Sequence, residues 1–427
     1  MATCMLRVMV FTHPLTLTFL ILLGLGMVFQ AWLLWRQFQH VGAHREVVPE
    51  AFALQVTPDE HRKAADYTRA KLWPAAVGVV LEAVMILFWT LGGGLDRLDR
   101  LWPVEAFSPL VAGLGLLTSL TLVSGLADLP LGLWRTFGVE ARFGFNRTTP
   151  VRFLTDLLLE LAVFLLLMLP LMAALLWLMA STGTFWWLAA WGLWMFFTLL
   201  MSWLFPTVIA PLFNRFEPLP AGELRQRIEA LLERCGFASR GIFVMDGSRR
   251  SGHGNAYFTG LGRAKRIVFF DTLMSALAPA ELEAVLAHEL GHFHHRHIQR
   301  RLFGIALGSL ASLALLGWSM TQPWFFTALG VSRASDALAV ALFLIIVPVL
   351  TLWLQPLLAY WSRRQEFQAD TFAARHSDPH ALIQALVRLY RDNASTLTPD
   401  PLYSVCHDSH PPAAIRIRHL LTNVGTS

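Results

Sequence analysis

Residues 287–297 read AHELGHFHHRH, five histidines and one glutamate in eleven residues. Within them His288, Glu289 and His292 form H-E-x-x-H. On a helix, positions i and i+4 lie about 40° apart around the axis, stacked on one face. Two imidazoles so placed reach one Zn²⁺, at about 2.0–2.1 Å per Zn–N bond. Glu289 falls on the adjoining side, close enough to take a proton from water that the metal acidifies toward a pKa of about 7. That chemistry is peptide-bond hydrolysis. The segment reads as a helix: Pro279 suits a first turn, and Glu281 and Glu283 favour its positive end. Gly291 costs roughly 1 kcal/mol against Ala in a helix, which points to close approach of another element.

A catalytic zinc site needs a third protein ligand and an open fourth position. WSRRQEFQADTFAARH, residues 361–376, supplies Glu366 and Asp370, again i and i+4 on one helix face. Glu366 completes a His₂Glu set, and Asp370 is placed to orient a ligand histidine from behind. His294, His295 and His297 exceed this need and read as a hydrated helix flank rather than further zinc sites. His253 and His407 stay unassigned.

The elements that must position these residues are mostly membrane helices. The 427-residue chain is 55% hydrophobic and 15% charged, where a soluble domain is about 45–50% apolar and roughly 25% charged. A span needs about 20 apolar residues, and seven stretches qualify: 15–35, 73–95, 108–131, 153–179, 185–209, 303–324 and 338–361. The first is longer than a secretory leader and lacks a small-residue cleavage site. Lys and Arg mark the cytoplasmic side. Arg36, Arg45, Arg62, Lys63, Arg69 and Lys71 fill the first loop, and Arg135, Arg142, Arg147 and Arg152 the third. The opposite side carries Arg7, Arg97, Arg100 and Arg333. The N-terminus is therefore expected outside and the H-E-x-x-H segment in the cytoplasm.

The chain then divides into five spans with loops (1–210), a catalytic segment (211–301), spans six and seven (302–361) and a C-terminal segment (362–427). PAGELRQRIEALLERCGF has the spacing of an amphipathic helix, GIFVMDG and KRIVFFD read as short buried strands with NAYFTGLG between them, and the tail looks helical. Glu82 and Glu160 fall inside spans, where ionisable groups face a polar interior, whereas Asp128 and Asp156 lie near predicted helix ends. Cys4, Cys235 and Cys406 show no C-x-x-C spacing and form no disulfide framework. The net charge of +5 is scattered, without the clustered stripe of a nucleic-acid binder. Only Lys63, Lys71 and Lys265 are lysines among 34 basic residues, the bias of a GC-rich and hence bacterial genome.

VLAHELGHFHHRH and RRQEFQADTFA resemble the type I CAAX prenyl endopeptidases, membrane zinc proteases that trim prenylated proteins. ADLPLGLWRTFGVEARFGFNRTT (127–149), SRRSGHGNAYFTGLGRAKRIVFFDTL (248–273) and SHPPAAIRI (409–417) are similar to further stretches of that family, in family order. The resemblance implies an α-helical integral membrane protein: seven helices around a hydrated chamber, with a zincin-like cytoplasmic domain containing a small β-sheet. It implies one Zn²⁺ on His288, His292 and Glu366, with Glu289 as base and His410 donating to the oxyanion. Asn255 and Ala256 would line the substrate path on a strand edge, with Arg416 supporting His410 at the substrate. The expected partners are a peptide or protein, prenylated at its C-terminus, and the lipid bilayer. The membrane is a bacterial inner membrane, or the endoplasmic reticulum in a eukaryote. Two other readings compete: a quality-control zinc protease acting on unprenylated chains, and a zinc-holding transporter or scaffold. The first has fewer spans. The second lacks the two repeated halves of a transporter and leaves Glu289 without purpose.

Overall fold

The structure, a computed structural model, describes residues 12–237, 241–259 and 266–424. Cys4, Arg7, Lys265 and the remainder of 260–265 lie outside the described residues. Seven helical runs are long and apolar enough to cross a membrane. The first five are built on α1 (Pro14–Ala43), α2 (Pro58–Trp89), α3 (Pro109–Leu133), α4 (Pro150–Ser181) and α5 (Trp186–Leu204). Each of α1 to α4 opens with a proline in its first turn behind a capping side chain: His13, Thr57, Ser108 and Thr149. The proline needs no N–H partner there, and the cap satisfies an N–H that would otherwise be orphaned.

A four-stranded sheet follows, formed by β1 (Phe216–Pro218), β2 (Ile242–Met245), β3 (Ala256–Thr259) and β4 (Arg266–Phe270) in the order β1-β2-β4-β3. β2 and β4 are parallel, and both outer strands are antiparallel to their neighbours. Around the sheet pack α6 (Glu223–Arg234), α7 (Pro279–His294), α11 (Pro379–Asp392) and α13 (Ala413–Val424). Their core joins Ile228 and Leu231 to Ile267, Phe269, Leu286, Leu290 and Leu382. The last two spans are α8 (His297–Ser319) and a continuous 41-residue run, Asp336–His376. That run joins α9 (Asp336–Thr351) to α10 (Gln355–His376). α12 (Pro401–His407) lies between α11 and α13.

All seven expected spans are present, but several are longer at the end facing the sheet-bearing domain. α2 starts at Pro58 rather than near residue 73, because its charged first turns leave the apolar layer while staying helical. It stops at Trp89, before Gly93 at φ 73°. The sixth span ends at Ser319, not near residue 324, since Pro323 opens a separate short helix. NAYFTGLG, read between two strands and given a strand edge only by the resemblance, supplies β3 over Ala256–Thr259, and β1 was not foreseen.

The polar residues of the spans separate. Asp156, in the second turn of α4, is held by Arg250 through two hydrogen bonds of 2.8 and 2.9 Å. Glu82 lines a cavity of about 520 Å³ together with Asp128, Arg135 and His407. Asp128 is thus no helix-end residue: α3 continues through a wide π-helical turn, Trp134–Glu140, and carries Asp128 into the cavity wall. Glu160 instead sits on an exposed part of α4 and does not line this cavity.

Candidate metal centre

α7 and α10 cross face to face, and their contact is closer than side chains normally permit. A Cβ built on Gly291 would stand 2.8 Å from Ala369 Cα and 3.1 Å from the Ala369 carbonyl oxygen. The glycine that a helix disfavours is therefore what lets α7 lie against the backbone of α10. Glu281 secures the start of α7 by accepting a 2.8 Å hydrogen bond from the Ala278 N–H, and Arg388 pairs with it at 3.2 Å.

Across this contact three donor atoms converge. His288 Nε2 is 3.3 Å from His292 Nε2 and 3.3 Å from Glu366 Oε2, and His292 Nε2 is 3.4 Å from Glu366 Oε1. Ligand atoms held at about 2.05 Å around a tetrahedral ion stand about 3.3 Å apart. The spacing is that of a ligand set rather than of a hydrogen-bonded cluster. His288 and Glu366 are buried, and Glu366 Oε2 has no hydrogen-bond partner among the described residues. His410 Nδ1 lies 2.7 Å from that oxygen, but without hydrogen-bond alignment. A buried carboxylate oxygen left in this way is costly, and a cation at the convergence point removes the cost. The three residues fit a divalent metal.

The second nitrogen of each imidazole fixes which one can ligate. His288 Nδ1 is 2.8 Å from Asp370 Oδ1, so the proton belongs on Nδ1 and the lone pair on Nε2. Burial and the Arg416 guanidinium both disfavour an imidazolium at His288. The Asp370 and Glu366 carboxylates outweigh them, and the ring is pushed up to about 9. Without a metal the Nε2 position is therefore protonated as well, and a metal bound there would displace that proton. His292 Nδ1 is 2.9 Å from His297 Nδ1, and His297 Nε2 is 2.9 Å from Gln368 Oε1. The Gln368 carbonyl oxygen accepts from His297 Nε2, so His297 Nδ1 accepts from His292 Nδ1 and leaves His292 Nε2 free. α10 thereby sets both tautomers, through Asp370 and through Gln368.

His297 is therefore not part of a hydrated flank. It is buried, because Arg296 adopts a left-handed conformation (φ 56°) that turns the chain and folds His297 back under His292. His294 is exposed as expected, and His295 packs beside Phe372. Arg416 also differs from expectation. It does not line a substrate path but is buried behind Asp370, to which it donates at 2.9 and 2.6 Å. Glu289 is half-buried and makes no hydrogen bond or ion pair with a described residue. His410 stands at the rim of the cluster with 62% of its side chain exposed.

The edge strand β3 carries the remaining pair. The Asn255 carbonyl accepts from the Phe270 N–H at 3.0 Å, which turns the Ala256 N–H and C=O toward the unpaired edge. Asn255 Oδ1 accepts from that Ala256 N–H at 2.8 Å.

Residues 37–215 match the family described as CAAX prenyl protease N-terminal, five membrane helices, and residues 218–424 match peptidase family M48. The CAAX prenyl protease 1 homolog of Arabidopsis thaliana is 36% identical over 345 residues, 80% of each chain. The chain belongs to the CAAX prenyl protease family of M48 metallopeptidases. CAAX prenyl protease 1 of Saccharomyces cerevisiae is 31% identical over 424 residues, 92% of each chain. The crystal structure of S. mikatae Ste24p superposes with a TM-score of 0.89 at 29% identity, covering 96% of this chain and 99% of that one. The protein is thus a multi-pass membrane metalloendopeptidase.

Three contacts of this CAAX prenyl protease homologue were not legible beforehand. One Arg363 amino group donates to the carbonyls of Ser404, Val405 and Asp408 at 3.2, 2.9 and 2.9 Å, fixing the loop that presents His410. His253 lies 3.2 Å from the Tyr67 hydroxyl and 3.3 Å from Glu140, and stacks on Phe145. Asn393 closes the same loop by accepting from the Gly254 N–H at 3.0 Å. The segment leading into β3 is therefore tied to α2, to the turn after α3 and to the end of α11. Each partner lies far away in sequence, so no local pattern announced it.

Proposed function

We propose that His288, His292 and Glu366 hold one Zn²⁺ and that the chain hydrolyses peptide bonds near the C-terminus of prenylated proteins. What carries this reading is the spacing of the three donor atoms, 3.3 to 3.4 Å apart, with Glu289 beside them. Bound there, the metal supplies a Lewis acid for the scissile carbonyl and acidifies water. Glu289 accepts the proton as the water attacks and passes it to the leaving amine. His410, exposed at the rim, donates to the oxygen that becomes negative. Asp370, itself gripped by Arg416, holds His288 in the ligating tautomer. An extended peptide adds to the open edge of β3, taking the Ala256 N–H from Asn255 Oδ1.

The names of the Arabidopsis and yeast relatives support the prenylated substrate. The Lys and Arg asymmetry supports a cytoplasmic peptidase domain, whether the membrane is a bacterial inner membrane or the endoplasmic reticulum. The change of family match between residues 215 and 218 supports a division near 210; the further divisions 211–301, 302–361 and 362–427 follow the placement of the last two helical runs.

The test uses full-length protein in detergent. Zinc per chain is measured, and a farnesylated CAAX peptide is compared with its unprenylated twin, with Glu289→Gln as the control. Prenyl-dependent cleavage that disappears in the variant is the expected result. Equal cleavage of both peptides would overturn the substrate assignment while keeping the peptidase.

A further inference from the structure

We propose that a second cavity, of about 510 Å³ and lined by none of the three candidate donors, binds the phosphate headgroup of an anionic phospholipid. It lies between α1, α2 and the turn after α3, lined by Phe38, Arg69, Trp73, Trp134, Arg142 and Phe143. Arg69 stacks flat on Phe38, its guanidinium carbon 4.0 Å from the ring centre, and passes Gly42 one turn on, where a Cβ would stand 3.4 Å away. Neither Arg69 nor Arg142 pairs with a carboxylate among the described residues. Arg69 Nε is buried without a hydrogen-bond partner. The one carboxylate in the wall, Asp66, is already held by Arg45 through bonds of 2.8 and 2.7 Å. The cavity therefore offers a fixed fork of donors and net positive charge. A phosphate matches both, since guanidinium binds it through paired hydrogen bonds.

Position selects the source of that phosphate. Trp73 and Trp134 are exposed aromatics at the level where α2 changes from charged to apolar, as in membrane interfacial belts. From Trp73 an exposed apolar stripe continues along α2 through Val77, Val80, Val84 and Leu87, at helical spacing. A headgroup in the cavity thus has a seat for its acyl chains, which a free phosphate would not use. Basic pockets at this depth favour anionic over zwitterionic lipids by roughly fivefold per guanidinium.

The experiment is native mass spectrometry of the full chain in detergent, titrated with phosphatidylglycerol or phosphatidylcholine. Wild type, with two guanidinium groups in the cavity, is expected to hold one phosphatidylglycerol about 25-fold more tightly than phosphatidylcholine. Arg69→Gln should cut that preference about fivefold. Ala70→Trp, which fills the cavity but keeps both guanidinium groups, should lower binding as well. Lys63→Gln, removing a charge outside the cavity, should leave it unchanged. Equal losses in Lys63→Gln and Arg69→Gln would overturn the site in favour of diffuse surface charge. Displacement of the lipid by millimolar inorganic phosphate would overturn the lipid assignment.

Discussion

The Glu289 carboxylate has neither a hydrogen bond nor an ion pair with a described residue, beside three donors that converge on one another. A carboxylate so free is available to move a proton and contributes little to holding the metal. Glu289→Gln should therefore keep stoichiometric metal, measured by elemental analysis, while kcat falls by about 10²–10⁴-fold. His297 makes the opposite prediction. Replacing it with Phe strands His292 Nδ1, so metal affinity should fall by about 10–100-fold in a chelator competition, with kcat recovering at saturating zinc. The convergence of His288, His292, Glu366 and Asp370 was legible because both pairs obey i, i+4 spacing on helices. His297 was not legible. Its place under His292 depends on one left-handed residue, Arg296, at a position where sequence gives no glycine to announce it.

At the scale of elements, the α7–α10 contact decides whether the ligands meet. Gly291→Ala puts a methyl 2.8 Å from Ala369 Cα, and backbone cannot rotate out of the way as a side chain can. Overpacking of this kind costs typically about 1–3 kcal/mol. The shift also carries Glu366 and Asp370 with α10. The variant should lose thermal stability in detergent and metal affinity together, whereas Gly304→Ala on α8, where a Cβ meets nothing within 4 Å, should change neither. The spans could be read from the length of their apolar runs, and α6 from its periodicity. β1 and β3 could not, since three- and four-residue strands carry too little alternation and owe their pairing to β2 and β4. The charged extensions of α2 and α10 beyond the apolar layer were hidden for a related reason: hydropathy reports where lipid ends, not where a helix does.

Across the whole molecule, Asp400 joins the membrane helices to the C-terminal segment. It caps α12 by accepting from Leu402 and Tyr403, takes two hydrogen bonds from Arg36, and its own N–H donates to Gln37 Oε1 at 2.6 Å. Burial would raise its carboxyl, but Arg36 and the cap hold it below the usual carboxylate range. A group depressed in the folded state stabilises above its unfolded value of about 3.9, and that stability disappears as pH falls through the folded value. Asp400→Ala should cost about 2 kcal/mol at neutral pH, less than a fully buried pair because Arg36 is partly exposed. The difference from wild type, followed by thermal unfolding in detergent, should narrow only in strong acid.

The order of the donors along the chain has its own consequence. His288 and His292 precede the sixth span, and Glu366 lies near the C-terminal end of the seventh helical run, past its apolar stretch. During synthesis the two histidines emerge first, and the carboxylate joins them only after an intervening helical hairpin has entered the bilayer and returned. A polypeptide stalled before that insertion holds two of the three donors. Assembly of the candidate site therefore waits on membrane integration.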